Sequence, residues 1–447
     1  MASDRDTIFA KATGAGKAGV AVIRVSGPES FRISDLLIGK RIKIREAKMA
    51  EISEPTSGAL IDRGLVILFQ NPQSFTGEDT VEFHLHGSAA VEACLSETLA
   101  RLGARPAEAG EFTLRAFRNG RLDLAQAEAL ADLIDAETNE QRKQALGQLG
   151  GRLSEAAEGL RSRLISVLTP LEADIDFPDE GDVPAAVAAR AGPAITKLKD
   201  ALTAFLANSR RARTIRKGIN IAIIGPPNVG KSSLVNVLAG ADVAIVSDVA
   251  GTTRDVVEAR LDLGGILATL SDTAGLRDET NDAIEAEGMA RARSRAKQAD
   301  LRVAALDPRV EFVSRETLDL LRPGDFLVWT HADLNPAIPH GVAPDGVAAV
   351  SLSPLTGLGV DEFIAALTAA VSAQGNFNGP ALTRARHVRA VEDAVAALTR
   401  AEEKIETAPE LAAEDARLAA RALGSITGAV GVEDVLDEIF SSFCIGK

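Results

Sequence analysis

The chain has 447 residues, a formal net charge of −14, one tryptophan and no tyrosine. This length accommodates about three ordinary domains, and the acidic, aromatic-poor composition excludes a general nucleic-acid coat or base-stacking platform. Its two cysteines, Cys94 and Cys444, exclude a disulfide framework, and with no signal peptide or long apolar run the sequence predicts a cytoplasmic protein without a membrane partner.

Residues 1–120 read as a mixed α/β domain, with strands predicted at 20–25, 65–69 and 81–86 and helices at 88–102 and near 29–37. His84 and His86 alternate onto one strand face. With no third ligand in view they read as structural or solvent-facing rather than metal-binding. From 122 to 217 the chain is rich in Ala, Leu, Glu, Gln and Arg at helical spacing, interrupted at Asp176-Phe177-Pro178-Asp179 and Val183-Pro184. This stretch ends in a basic run, Arg210, Arg211, Arg213, Arg216 and Lys217, and Arg384, Arg386 and Arg389 form another. Both read first as solvated helix faces or partners for the many acids, and second as local RNA contacts.

The next segment carries the chemistry. An apolar strand at 219–224 runs into Gly225-Pro226-Pro227-Asn228-Val229-Gly230-Lys231-Ser232, a complete GxxxxGKS loop, and Ser233 continues as a helix. Loop N–H groups can surround phosphates, Lys231 supplies a point charge between the outer two, and the Ser232 hydroxyl can ligate Mg²⁺. Gly251-Thr252-Thr253-Arg254-Asp255 offers Thr253 to close over a γ-phosphate through Mg²⁺. Asp272-Thr273-Ala274-Gly275 offers an aspartate for the Mg²⁺ shell and a glycine N–H for the γ-phosphate. Leu276 stands where small GTPases carry a water-orienting glutamine, so another group must orient the water. Guanine reading falls to Thr330-His331-Ala332-Asp333, in place of Asn-Lys-x-Asp, and to Ser353-Pro354-Leu355. Asp333 can accept both guanine N–H groups, which adenine lacks. Losing the lysine stem, and the N–H that Pro354 cannot offer, predicts GTP over ATP with reduced affinity.

After a linker at 374–380 the chain turns helical again from 383 to 443. The simplest organisation is a nucleotide domain inserted into a helical one. The boundaries read as 1–120, 121–217, 218–373 and 374–447.

Further marks carry a family resemblance: Asp6-Thr7-Ile8, Ser74-Phe75-Thr76-Gly77-Glu78-Asp79, Gly110-Glu111-Phe112-Thr113, Leu122-Asp123-Leu124-Ala125-Gln126-Ala127-Glu128-Ala129, Ile175-Asp176-Phe177-Pro178 and the ending Phe443-Cys444-Ile445-Gly446-Lys447. Along essentially its whole length the chain resembles the tRNA-modification GTPases of the MnmE (TrmE) family. The resemblance implies an α/β and α multidomain fold: an N-terminal α+β domain similar to tetrahydrofolate-binding folds that also forms the homodimer, a discontinuous helical domain, and an inserted Ras-like P-loop GTPase domain. It implies GTP, Mg²⁺ and K⁺ as cofactors, with a 5,10-methylene- or 5-formyl-tetrahydrofolate at Arg24, Glu82, Arg121 and Lys447. Arg121 stands where some members carry lysine. It also implies the partner MnmG, in a heterotetramer or larger complex that brings FAD and NADH, and tRNA as substrate, modified at the wobble uridine. Asn228 matches a K⁺ ligand, Ser247, Val249 and Thr252 match the loop that closes on the ion, and Glu285 matches the acid that orients water. Cys444 is read either as a reactive thiol near the folate or as a small buried side chain. A ribosome-assembly or signalling switch, and a folate-dependent transferase with a regulatory GTPase insert, stand as alternatives.

Overall fold

The computed structural model describes residues 6–176, 186–245, 258–272, 293–309, 315–334, 342–372, 379–431, 433–441, 443, 445 and 446. Six strands precede the helical region: β1 (Ile8–Lys11), β2 (Ala18–Ser26), β3 (Lys48–Ser53), β4 (Leu60–Phe69), β5 (Thr80–Gly87) and β6 (Arg105–Pro106). They form one sheet in the order β3-β4-β5-β2-β1-β6, with α1 (Ser30–Ile38) and α2 (Ala89–Arg101) packed on it. Alternation decides which face is covered. Along β5, Val81, Phe83 and Leu85 are buried with Val25, Val66 and Leu99, while Glu82, His84 and His86 face the other way. Each of the larger apolar side chains so buried contributes roughly 2 kcal/mol.

The short or polar strands β1, β3 and β6 gave no sequence signal, and β4 begins five residues before the predicted 65–69. Gly64 explains the second difference. A Cβ there would collide with the His84 carbonyl oxygen, so glycine here marks close strand approach inside β4 rather than its beginning.

Helices α3 (Glu111–Arg118), α4 (Leu124–Ile134), α5 (Asn139–Leu149), α6 (Arg152–Asp176), α7 (Ala186–Ala207) and α8 (Ser209–Lys217) follow. The second sheet contains β7 (Ile219–Ile224), β8 (Glu258–Leu263), β9 (Ile266–Asp272), β10 (Leu301–Leu306), β11 (Phe326–Trp329) and β12 (Ala348–Ser351), in the order β12-β11-β10-β7-β9-β8. Only β8 runs antiparallel to its neighbour. Both faces of such a sheet are buried, which is why β7 and β10 read as continuous apolar runs. Around it lie α9 (Lys231–Ala239), α10 (described at residues 293–298), α11 (Arg315–Leu318) and α12 (Val360–Ser372). Arg302 of β10 is the exception in this core. Its guanidinium donates to the Ala296 and Ala299 carbonyls, each at 2.7 Å, and faces buried Asp325, so every element of the charge is answered.

The chain closes with α13 (Ala385–Lys404), α14 (Pro409–Thr427) and α15 (Glu433–Ser441). Pro409 opens α14 with its φ preset, and Gly428 at φ 84° ends it by returning its N–H to the Gly424 carbonyl. The structure divides into two compact units, 1–131 with 148–195 and 396–447, and 132–147 with 196–395. Among the described residues no helix is long and apolar enough to cross a membrane.

Candidate nucleotide site

Strand β7 delivers the chain to Gly225, whose φ of 144° and close approach to the Ala305 carbonyl admit no side chain. The loop turns through Asn228 at φ 60° and Gly230 at φ 89°, and α9 starts at once with Lys231. Val229 is buried, whereas Asn228, Ser232 and Ser233 are exposed at the mouth and the helix N-terminus. Lys231 is only 6% exposed, and its ammonium donates to the Gly225 and Pro226 carbonyls at 3.0 and 2.6 Å. The loop thus holds a positive charge over its own concavity, beside helix N–H groups.

The base-side loop follows β11. Thr330 is fully buried, and its hydroxyl lies 2.7 Å from the Val229 carbonyl, 3.0 Å from the Leu306 carbonyl and 3.0 Å from His331 Nδ1. One hydroxyl has one proton, and the shortest contact claims it for Val229. The oxygen is then left to accept from the His331 Nδ1 side at 3.0 Å. His331 itself sits at φ 61° and lies 3.7 Å from Asp307. The Arg309 guanidinium, 2.6 Å from Asp307, holds that carboxyl down at about 2. Asp333 is held below its ordinary value chiefly by a hydrogen bond from Ser353, so it is an anion and an acceptor at neutral pH. The Ala332 N–H donates to the Leu352 carbonyl at 3.1 Å, tying the two base-side segments together. The structure therefore joins Asn228, Val229, Gly230, Lys231, Ser232 and Ser233 with Thr330, His331, Asp333 and Ser353. Asp272 ends β9, its backbone paired with Ile223. Ser247, Val249, Thr252, Thr253, Thr273, Ala274, Gly275 and Glu285 lie outside the described residues.

The Thr330 bridge and the Asp307–Arg309 pair were not identified from sequence. The bridge links positions 101 residues apart, and no periodicity signals it.

In the N-terminal domain Arg24 and Glu82 face each other across β2 and β5 and form an ion pair at 2.9 Å. The guanidinium lies over Phe75 at 5.1 Å and Phe112 at 5.8 Å, which orients it. Nearby, Arg115 binds Glu78, Glu111 and Asp6, and Arg105 binds Asp6 and Glu111. Burial pushes the Glu111 carboxyl up, but the bonds from Arg105, the Glu108 N–H and Arg115 outweigh it and leave it lowered. Arg121 stacks its stem against Gly77, whose φ is 79°. Ile445 pairs with Ala109, and Gly446 packs against the Lys11 carbonyl, so the chain end docks on this domain. Cys444 and Lys447 lie outside the described residues. His86 Nδ1 is 2.8 Å from Asp62, and His84 Nε2 is 3.4 Å from Glu82.

A strand, a glycine loop opening a helix with a buried lysine, and an acidic base-side loop define a phosphate-loop nucleotide hydrolase of the GTPase type. The family model for the MnmE helical domain matches residues 124–444, and that for the GTP-binding protein TrmE N-terminus matches residues 7–121. The chain belongs to this MnmE (TrmE) family of GTPases. It is 50% identical to the tRNA modification GTPase MnmE of Parvibaculum lavamentivorans over 447 residues, 99% of this chain and 100% of that one. With the protein of the same description from Maricaulis maris it shares 49% over 446 residues, 99% of each chain. The G domain of the T. maritima FeoB iron transporter aligns with 35% of this chain and 98% of that one, at 24% identity and a TM-score of 0.26.

Proposed function

We propose that this chain couples GTP hydrolysis to the addition of an aminomethyl or carboxymethylaminomethyl group at C5 of the wobble uridine of certain tRNAs, acting in the cytoplasm as a homodimer with MnmG. The observation that carries this reading is full-length membership of the MnmE family together with a phosphate loop whose Lys231 is already seated over it.

In this reading Asn228 to Ser233 hold the GTP phosphates, and Ser232 and Thr253 hold Mg²⁺, which neutralises charge on the transferring phosphoryl group. Asn228, exposed at the mouth with φ 60°, has its side chain available to K⁺, and Ser247, Val249 and Thr252 complete that site. Asp272 serves the Mg²⁺ shell, Thr273, Ala274 and Gly275 bind the nucleotide with the Gly275 N–H on the γ-phosphate, and Glu285 orients the attacking water that Leu276 cannot. Asp333 and Ser353 read guanine. The folate supplies the one-carbon unit. The Arg24–Glu82 pair, oriented by two rings, offers a fixed donor beside a fixed acceptor to a flat heterocyclic ligand of this kind, with Arg121 and Lys447 as its further contacts and Cys444 beside it. FAD and NADH enter with MnmG.

Nucleoside mass spectrometry of bulk tRNA from cells with and without the gene tests the reading. Deletion should remove the 5-aminomethyl or 5-carboxymethylaminomethyl uridine, the intact gene should restore it, and a Lys231→Ala copy should not. Persistence of the modified uridine after deletion would replace this reading with that of a GTPase switch.

A further inference from the structure

Helix α8 immediately precedes β7 and the phosphate loop, and its sequence Ser209-Arg210-Arg211-Ala212-Arg213-Thr214-Ile215-Arg216-Lys217 contains five cations and no acid. The helix is fixed from its inner side. Ser209, Ala212 and Ile215 are buried, and Gln141 and Gln144 of α5 donate to the Arg216 and Ala212 carbonyls, each at 3.1 Å. Arg216 turns inward to Asp132 at 2.8 Å. The remaining four cations have no such employment. Arg210, Arg211 and Lys217 are exposed, Arg213 is half-buried, and among the described residues none pairs with a carboxylate.

Helix stability does not explain them. Lys217 at the C-terminus suits the helix dipole, but Arg210 and Arg211 occupy the first turn, where cations are disfavoured by a few tenths of a kcal/mol each. Arg210, Arg213 and Lys217 recur at i, i+3 and i+7, so they share one stripe, which runs along the outer flank of the helix with Arg213 nearest the buried side. The stripe is about 10 Å long, at a rise of 1.5 Å per residue. That matches two to three successive phosphates of a nucleic-acid strand rather than one small anion.

We propose that the outer face of α8, through Arg210, Arg213 and Lys217 with Arg211 at its flank, binds the sugar-phosphate backbone of the tRNA substrate. The inference rests on the tRNA reading above and assigns the surface that touches the RNA. A chain of net charge −14 repels RNA over most of its area, so affinity must concentrate in a patch such as this one. The contact carries no base recognition; it positions.

The test is fluorescence anisotropy of an end-labelled tRNA transcript with uridine at the wobble position, titrated with the full-length protein at 50 to 200 mM salt. Replacement of the stripe (Arg210→Gln, Arg213→Gln, Lys217→Gln) should weaken binding about tenfold or more and reduce the slope of log K against log salt by about two to three, since each phosphate contact contributes roughly 0.7–0.9. The charge-matched variant Lys40→Gln, Arg41→Gln, Lys43→Gln, exposed in the N-terminal domain, should bind as wild type. GTP hydrolysis without RNA should be unchanged in both, which certifies the fold. An unaltered slope in the α8 variant, or equal weakening in the control, overturns the assignment. So does a wild type that fails to bind the transcript, but that result leaves the modification reading to the nucleoside measurement, which decides it independently.

Discussion

Thr330 shows how much a single hydroxyl can carry. Where GTPases place an asparagine, this chain joins the phosphate loop to the base-side loop through one buried O–H to the Val229 carbonyl. Thr330→Val keeps the shape and removes the hydroxyl, leaving the Val229 carbonyl short of its donor at a cost of about 1–3 kcal/mol. The expected outcome is a lowered midpoint of thermal unfolding and at least fivefold weaker GDP binding by calorimetric titration; unchanged binding would remove the bridge from the site's architecture. Asp307 makes a separate prediction. Its carboxyl is depressed from 3.8 to about 2, first by Arg309, so its stabilising contribution is complete above the unfolded value and disappears as pH falls through the folded one. Thermal midpoints of wild type and Asp307→Asn should therefore differ most above pH 4 and converge toward pH 2, and a gap that stays constant across that range would contradict the ion pair. The sequence placed Thr330 and Asp333 correctly in the loop after β11. It did not reveal the bridge, because side-chain partners 101 residues apart leave no local trace.

Strands and helices were readable to the extent that one face of each is buried. The alternation in β5 and the apolar run of β7 exposed them in the sequence, whereas β3, an edge strand with exposed Lys48, Met49 and Glu51, resembles a loop. The docking of the chain end left no periodic signal, and only the family resemblance, which set Lys447 beside Arg24 and Glu82, pointed to it. Ile445 pairs with Ala109, and Gly446, at φ 97°, has no room for a Cβ against the Lys11 carbonyl. Gly446→Val adds both a collision and a strained φ, so the tail should leave its seat at the end of β1. Carboxypeptidase should then trim the variant faster than wild type, while GTP hydrolysis, carried by the other unit, keeps its rate. Equal trimming would mean that the tail is held by something other than this glycine.

An inserted domain needs its two chain crossings held together, and here one carboxylate holds both. Asp132, near the end of α4, accepts from Arg216 at 2.8 Å and from Arg384 at 2.8 Å. Arg216 lies three residues before β7, and Arg384 lies just before α13, so the segments that enter and leave the nucleotide-binding sheet meet at a single anion. The insertion itself was legible from the return of helical spacing after residue 383, but the clasp was not, because Asp132 is an ordinary polar position on a helix. The three side chains are only 13%, 23% and 22% exposed, so their charges interact through partly desolvated surroundings and are worth more than a surface pair. Asp132→Asn keeps the shape but removes the anion that both guanidinium groups share, at a cost of about 2 kcal/mol. Removing one arginine should then cost less in the Asp132→Asn background than in wild type, which a double-mutant cycle on thermal or urea unfolding measures directly. Strict additivity of Asp132→Asn with Arg216→Gln and with Arg384→Gln would show that the anion serves neither crossing. Coupling to both arginines, with GDP affinity unchanged, would identify Asp132 as the joint that keeps the ends of the insertion together.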